Sequence, residues 1–322
     1  MKHLLENTTR SVEIKSLLQQ NGFSKYEMGI AIIDLNDPES RIFGYNMGHF
    51  IYPASVYKMF IGAETLRRIE VGDFSLNQQV TVKSPNDVDK DAKIFPGDPR
   101  GLLQAGDTVT IDYLLDLMLT RSDNTASNCL IDLVGRESIT ENIIHAYGWQ
   151  GSEITRKFLD RIKEDKSYRY SEATMTCARH TTEFMYLVEQ GEMVNRFVSS
   201  KLKDYMIRWN REGRKGLTIP EHLFIYRKGG YLENNLYQNI FKKYYHKSGF
   251  GLDYVTGFVN LIRTILTKGW AFICWSNDVA VITGESSHYI ISVFTVSKSI
   301  NPRKRFPMER LGRVIHRYME SK

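Results

Sequence analysis

The order of periodic and alternating apolar stretches predicts strands near both ends of the chain and helices between them. Residues 9–21 have helical spacing, and residues 26–35 and 41–45 are rich in the β-branched and apolar residues of strands. The middle of the chain is mainly helical, β-rich runs return after Gly213, and residues 307–319 predict a terminal helix. This order predicts an α+β fold, an α/β sandwich in which an antiparallel sheet from both chain ends holds an inserted helical part.

Each predicted element is defined by its apolar positions and by the residues that end it. The first helix carries Val12, Ile14, Leu17 and Leu18 as its apolar set. Further helical runs are predicted at residues 53–69, 110–119, 125–134, 136–147, 176–190, 194–209 and 258–266, and β-rich runs at 222–227, 244–249, 270–275, 279–283 and 289–296. Two long loops are predicted at residues 73–110 and 148–171.

Composition narrows the class of protein. The chain has 322 residues, of which 42% are hydrophobic and 25% charged, as in ordinary globular proteins. The formal charge is +6, but no dense lysine and arginine block indicates a nucleic-acid partner, so none is expected. The three cysteines have neither disulfide nor metal-ligand spacing, and Cys129 and Cys274 lie in apolar runs that predict core positions.

The hydropathy of the chain indicates where in the cell the protein is located. The first residues lack the apolar stretch of a secretory signal, and no run reaches the about 20 apolar residues that a membrane span needs. We therefore expect a soluble protein without a membrane span, either cytoplasmic as written or a chain from which a leader was removed.

The first chemistry-bearing motif lies at the start of the helix that follows Pro53. Proline suits a helix start, so Ser55 is expected near the N-terminus with Lys58 three residues further on the same face. A neutral lysine can take the serine proton and make the hydroxyl a nucleophile, and the N–H groups of a helix start favour an oxyanion. By itself the pair is a weak signal, since a capping serine and a solvated lysine give the same letters.

The second motif reads Ser122-Asp123-Asn124 and falls at the break between two helical runs. The Ser122 hydroxyl can relay a proton to a leaving group, although a helix cap is the simpler role for it alone. Asn124 carries an amide that both donates and accepts, so it can hold a substrate amide and also orient Lys58. Asp123 is expected to accept hydrogen bonds from local backbone N–H groups and keep the turn in shape.

The third motif reads Lys247-Ser248-Gly249 and ends a strand-like run. Lys247 can attract a substrate carboxylate and favour the neutral amine of Lys58 by like-charge repulsion. Ser248 can bind the same carboxylate, and Gly249 allows close approach of the backbone. An exposed lysine at a strand end is the alternative interpretation.

Taken together, the three motifs in this order resemble those of the active-site serine β-lactamases and penicillin-binding proteins. The aspartate of the second motif makes the class A β-lactamase branch the more similar one. The resemblance extends over most of the chain and includes residues 50–55, 107–111, 246–249, 277–282 and 289–295. It implies the β-lactamase/transpeptidase-like fold, an acyl-enzyme on Ser55, and an oxyanion hole formed by the backbone N–H groups of Ser55 and Phe250.

The same resemblance implies a single β-lactamase-like domain over residues 1–322. Residues 1–50 together with 210–322 would form its α/β part, and residues 51–209 its helical part.

The chain departs from the class A pattern in the loop between the second and third motifs. In class A enzymes a Glu, with an Asn four residues later, activates the water that removes the acyl group. Residues 154–165 contain no such pair, and Glu164 and Asp160 are the nearest carboxylates. Without a placed base the acyl-enzyme would be long-lived, which is how penicillin-binding proteins respond to β-lactams.

The third motif also has a second candidate. Residues 219–230 resemble the strand that carries the family's lysine, with Lys228 followed by two glycines. Lys247 is preferred because His246 precedes it and Ser248 supplies a hydroxyl. Residues 251–270 would then hold an insertion before the last strands.

The leading hypothesis is a β-lactamase-like serine hydrolase that opens a β-lactam or related amide through an acyl-enzyme on Ser55. Lys58, helped by Lys247, would take the Ser55 proton, and Ser122 would pass a proton to the leaving nitrogen. The alternatives are a D-Ala-D-Ala peptidase of the penicillin-binding type with slow deacylation, a serine-dependent glutaminase or esterase, a catalytically weak binding protein of the same fold, and an unrelated protein with chance motifs.

The partners expected under this hypothesis follow from the substrate class. The substrate would be a small molecule or peptide, either a β-lactam or a peptidoglycan-like amide. No metal or organic cofactor is implied, a monomer is expected, and the resemblance implies a periplasmic or secreted location.

Overall fold

The main sheet is built from strands at both ends of the chain. A computed structural model describes residues 4–91, 98–159, 161–164, 174–208, 224–235, 272–299 and 306–322. Its strands are β1 (Glu27–Asp34), β2 (Ile42–Tyr45), β3 (Gln79–Thr81), β4 (Thr108–Thr110), β5 (Phe224–Asn235), β6 (Phe272–Thr283) and β7 (His288–Ser299). The large sheet has the order β2-β1-β7-β6-β5, and every neighbouring pair is antiparallel. This confirms the predicted α+β fold with an antiparallel sheet from both ends.

Helices occupy the middle of the chain and also lie close to both termini. They are α1 (Thr8–Gln20), α2 (Lys58–Glu70), α3 (Ile111–Asp116), α4 (Asn124–Val134), α5 (Arg136–Ile139), α6 (Arg161–Glu164), α7 (Ala178–Gln190), α8 (Arg196–Ile207) and α9 (Met308–Glu320). A π-helical segment, Leu117–Arg121, continues α3, and a second one, Thr140–His145, continues α5. Helix α7 packs against β1 and β7, so the helical layer rests directly on the sheet.

The sheet separates two apolar cores because alternate residues of a strand point to opposite faces. In β1, Ala31 and Ile33 belong to the larger core, which also contains residues of α2, α4 and α7. Ile30 and Ile32 belong to the smaller core, which α1 and α9 cover. Full burial of one such aliphatic side chain stabilises the fold by about 1.5–3 kcal/mol. The larger core therefore holds the helical layer, and with it the second motif, against the sheet.

Several details of the predicted elements are wrong. Strand β5 continues to Asn235, beyond the predicted run 222–227, and the predicted loop 148–171 contains the short helix α6. Val12 is 67% exposed, because it lies two residues, or about 200° around the helix, from the buried Ile14. Residues 272–275 of one predicted run and all of the run 279–283 lie in the single strand β6. The polar residues between these runs remain in the strand because Asn277 is buried with hydrogen-bond partners on both sides: its Nδ2 donates to the Tyr52 carbonyl at 3.0 Å, and its Oδ1 accepts from the Thr295 N–H at 3.1 Å.

The long irregular segment predicted at residues 73–110 contains a short antiparallel ladder. Strands β3 and β4 pair through Val80 and Val109, and Thr110 then caps α3 by accepting a hydrogen bond from Tyr113 N–H at 3.1 Å. The predicted strand at 244–249 and the predicted helix at 258–266 lie outside the described residues.

Two further expectations are tested by burial and helix length. Cys129 and Cys274 are buried, as predicted from their apolar surroundings, and burial raises the pKa of the Cys129 thiol to about 12. Among the residues that the structure describes, no helix has the length and apolar character needed to cross a lipid bilayer.

Candidate active site

Ser55 lies in a tight helical turn that leads into α2. The turn, Ala54–Tyr57, is a 3₁₀ helix, and Ala54 has a left-handed φ of +50°. An alanine in this region is strained by about 1–2 kcal/mol, and such strain often accompanies functional sites. Ser55 itself is half-buried, whereas Val56 and Tyr57 are buried. The turn therefore holds one reachable hydroxyl on a rigid support.

Lys58 is fully buried at the start of α2, with its ammonium among oxygen acceptors. Its Nζ lies 2.6 Å from the carbonyl oxygen and 3.2 Å from the Oγ of Ser122, 2.7 Å from Oδ1 of Asn124 and 3.4 Å from the carbonyl oxygen of Asp123. A buried cation needs such partners to offset its lost hydration. The tertiary fold thus brings the first and second motifs into direct contact.

The second motif owes its shape to a break between helices. Ser122 has a left-handed φ of +64°, which turns the chain between the π-helical end of α3 and the start of α4. Asp123 caps α4, since its Oδ1 accepts a hydrogen bond from Ala126 N–H at 2.8 Å. Its Oδ2 lies 2.9 Å from Nη2 of the buried Arg121, a contact that sequence reasoning missed. These contacts hold the Ser122 carbonyl and hydroxyl towards Lys58.

Asn124 stands between Lys58 and a carboxylate on a neighbouring loop. Its Oδ1 accepts from Lys58, and its Nδ2 donates to Oδ1 of Asp89 at 3.1 Å. Its backbone N–H donates to Oδ2 of Asp89 at 2.6 Å. Asp89 was not singled out from the sequence, because it lies in the segment 73–110 that carries no periodic pattern.

Of the two candidates for the third motif, only one lies among the residues that the structure describes. Lys247, Ser248, Gly249 and Phe250 lie outside the described residues. Strand β5, with Lys228 opposite Val279, runs at the edge of the sheet beside the turn Ala54–Tyr57. Strand β5, which contains Lys228 and its two following glycines, therefore passes alongside the turn that carries Ser55.

Comparison with known proteins identifies the family. The profile of the Beta-lactamase enzyme family matches residues 9–319 of the chain. The chain belongs to the β-lactamase enzyme family. A search of the curated proteins found no match.

Solved structures show the fold of this family member. A mutant of PBP-A in an acyl-enzyme complex with penicillin G has a TM-score of 0.65 and 14% sequence identity, with all of both chains covered. An ancestral class A β-lactamase (GNCA) has a TM-score of 0.63 and 18% identity over 96% of this chain and 99% of that one. The β-lactamase from Sphaerobacter thermophilus has a TM-score of 0.60 and 17% identity over 96% and 97% of the two chains. At these identities the likeness establishes the class A β-lactamase fold alone.

This β-lactamase family member has an aromatic ring against its buried lysine. The Phe158 ring centroid lies 4.2 Å from Nζ of Lys58, and the ring stacks on Tyr57 with a centroid distance of 4.6 Å and an interplanar angle of 3°. The backbone N–H of Phe158 donates to Oδ1 of Asn128 at 2.7 Å. Burial raises the pKa of Tyr57 well above its usual value, so Tyr57 remains a neutral ring. One side of Lys58 is therefore apolar.

The loop carboxylates expected near the site have a different arrangement in this family member. Glu164 forms an ion pair with Arg136, with 2.5 Å between Oε1 and Nη1, and it also accepts hydrogen bonds from the backbone N–H of Lys157. Asp160 lies outside the described residues. Among the loop residues that the structure describes, Phe158 has a side chain that contacts Lys58. The only sequence signal for it was an aromatic residue among charged neighbours.

Proposed function

We propose that the chain is an active-site serine enzyme that opens a β-lactam or related amide through an acyl-enzyme on Ser55 and then releases the acyl group slowly. The observation that carries the proposal is the cluster around Lys58, in which the Ser122 hydroxyl and the Asn124 amide meet the lysine one turn after Ser55. Membership of the β-lactamase enzyme family supports the same chemistry.

Ser55, Lys58 and Ser122 share the proton transfers of the acylation step. Lys58, in its neutral form, takes the Ser55 proton, and Ser55 Oγ forms a bond to the substrate carbonyl carbon. The carbonyl oxygen becomes an oxyanion, which the Ser55 N–H at the helix start stabilises. When the C–N bond breaks, Ser122 gives its proton to the leaving nitrogen and recovers one from Lys58 across their 3.2 Å contact. The product is an ester on Ser55.

The register of the sheet supports Lys228 as the lysine of the third motif. Lys228 pairs with Val279 and Gly230 with Asn277, whose Nδ2 donates to the carbonyl of Tyr52. This hydrogen bond ties the sheet to the segment that leads into Ser55. We therefore assign to Lys228 the attraction of a substrate carboxylate that the sequence led us to expect of Lys247.

The surroundings of Lys58 support slow release of the acyl group. Hydrolysis of the ester needs a water molecule and a group that takes its proton. Phe158 covers Lys58 on the loop side with a ring that can do neither, and Glu164 is engaged by Arg136. This arrangement favours behaviour like that of a penicillin-binding protein over rapid turnover.

The catalytically weak binding protein remains the second candidate, because the same apolar cover that slows hydrolysis would suit a protein that only binds. Covalent labelling of Ser55 separates the two. A D-Ala-D-Ala peptide in place of a β-lactam would be attacked in the same way, and we propose a monomer acting outside the cytoplasm on either substrate.

Intact-protein mass spectrometry after mixing with benzylpenicillin tests the proposal. We expect a stable adduct that the Ser55→Ala variant lacks. Ser199→Ala serves as a matched control, since Ser199 is a buried serine of α8 that bonds Met193 and not Lys58. Ring opening with no lasting adduct would refute slow release. The absence of both an adduct and ring opening would exclude β-lactams as substrates.

A further inference from the structure

The geometry points to Asp89 as a positioning residue that fixes the orientation of the Asn124 amide for acylation. The inference rests on the proposed function, since it concerns the same site. Asp89 lies on the loop between β3 and β4, far in sequence from the motifs, and is half-buried beside the start of α4.

The two neighbours of Asn124 leave its side-chain amide only one orientation. The Asp89 carboxylate accepts from the amide nitrogen, so the amide oxygen faces Lys58 Nζ, which donates to it. Rotating the amide by 180° would set its oxygen against the carboxylate oxygen and would remove the acceptor that Lys58 contacts. Both hydrogen bonds would be lost.

Asp89 also anchors the backbone on which Asn124 sits. Its second oxygen accepts the Asn124 N–H at 2.6 Å, and its own N–H donates to Oγ1 of Thr125 at 3.1 Å. A carboxylate at a helix N-terminus is favoured by the unpaired N–H groups and the dipole there. The loop and α4 are therefore joined at the residue that aligns Lys58.

A positioning role and a pure charge effect predict opposite changes in the acylation rate when Asp89 is removed. If Asp89 acted only through its negative charge, removing it would favour the neutral amine of Lys58 and speed acylation. If it orients Asn124, removing it lets the amide rotate, so that Lys58 loses its alignment and acylation slows. Other charged groups of the surrounding elements are already paired: Asp123 with Arg121, Lys157 with Asp132, Glu164 with Arg136 and Lys90 with Asp87.

Three variants of the loop test the role through the rate of Ser55 acylation by benzylpenicillin. Asp89→Ala should slow acylation by about 10- to 100-fold, which is the range for losing a hydrogen bond to a charged group. Asp89→Asn should be slowed as well, because an asparagine offers one acceptor where Asn124 presents two donors. Asp87→Ala is the matched control, since Asp87 lies on the same loop and pairs with Lys90, and it should change the rate by less than about twofold.

A double-mutant cycle with Asn124 decides whether Asp89 acts through that residue. The Asp89→Ala/Asn124→Ala double variant should acylate no more slowly than Asn124→Ala alone. Wild-type rates for Asp89→Asn would indicate that one acceptor is enough, and multiplying losses in the double variant would indicate an independent structural role. Either result, or faster acylation of Asp89→Ala, would overturn the proposal.

A spectroscopic measurement makes the test independent of activity. The side-chain NH₂ signals of Asn124 in a ¹⁵N–¹H NMR spectrum should be widely separated and protected from exchange in the wild type, and should collapse in Asp89→Ala but not in Asp87→Ala. An unprotected amide in the wild type would contradict the positioning role. If the wild type has a protected Asn124 amide but forms no penicillin adduct, the positioning contact is supported and the proposed function is refuted.

Discussion

Phe158 lies against the ammonium of Lys58, with 4.2 Å between Nζ and the ring centroid. A cation over an aromatic face is stabilised by about 0.5–2 kcal/mol, more when it is desolvated. The contact therefore offsets part of the cost of burying the lysine side chain. It also places a ring that cannot take a proton against this side of the lysine.

Replacing Phe158 by glutamate should convert the slow enzyme into a faster hydrolase. A carboxylate beside Lys58 would supply a base at this position, and general-base catalysis is worth about 10²–10⁴-fold. The lifetime of the penicillin adduct, followed by mass spectrometry, should shorten accordingly. Phe158→Gln is the matched control, because it has nearly the same shape as the glutamate variant but no base. An equal gain in both variants would show that water access, and not the base, limits release.

Replacing Lys58 by methionine should abolish measurable acylation and also destabilise the protein. Methionine keeps the volume of the stem but leaves the Asn124 oxygen and the Ser122 carbonyl without their donor, at a cost of about 1–3 kcal/mol for each group. Chemical denaturation and the benzylpenicillin adduct measure the two effects. Lys203→Met, which removes a half-buried lysine paired with Glu189 on α7, is the control for losing a lysine elsewhere. Residual acylation within tenfold of the wild type would exclude Lys58 as the base.

Replacing Lys228 and Lys247 by alanine, one at a time, decides which lysine belongs to the third motif. We expect Lys228→Ala to raise the benzylpenicillin concentration needed for half-maximal acylation about 10- to 100-fold, since a charged contact to the substrate carboxylate is lost. Lys247→Ala should change it little. Penicillin methyl ester, which lacks the carboxylate, should show no difference between the wild type and Lys228→Ala. The reverse pattern for the two lysines would restore Lys247 as the motif residue.

The ion pairs of Asp98 with Arg100 and Arg121 should make the stability of the fold sensitive to acid. Hydrogen bonds from Arg100 lower the pKa of Asp98 to about 2, and the buried Arg121 lies nearby. Because the folded pKa is below the unfolded one, the ionised carboxylate stabilises the fold above about pH 4. That contribution is lost as the pH falls towards 2.

Asp98→Asn tests this pH dependence. Its free energy of unfolding should be lower than that of the wild type at pH 7, by at most about 2 kcal/mol, and the difference should disappear near pH 2. Denaturant titrations across that range measure it, with the exposed Asp204→Asn as control. A difference that is independent of pH would show that the side chain acts by packing and not by charge.

Local sequence pattern was sufficient for several elements of the fold. The strand predicted at residues 26–35 is β1, Glu27–Asp34, and the terminal helix predicted at 307–319 is α9, Met308–Glu320. Thr110, at which a helical run was predicted to begin, caps α3. The proposed division into an α/β part and a helical part stays a prediction.

The motif residues could be found from the sequence, but their relations could not. Ser55 and Lys58 are close because they share one helical turn, which is a local property. Phe158 and Asp89 reach the site only because two loops with no periodic pattern fold back onto α2 and α4. No local rule predicts such contacts.

The sequence by itself thus indicated the family, the strands at both ends with helices between them, and the candidate residues of the first two motifs, because these depend on spacings within a few turns of chain. The tertiary structure decided which groups surround Lys58: a phenyl ring on the loop side, and an asparagine held by Asp89 on the other. The physical reason is that burial and hydrogen-bond orientation are set by residues tens of positions apart, which meet only when the sheet and the helical layer pack together.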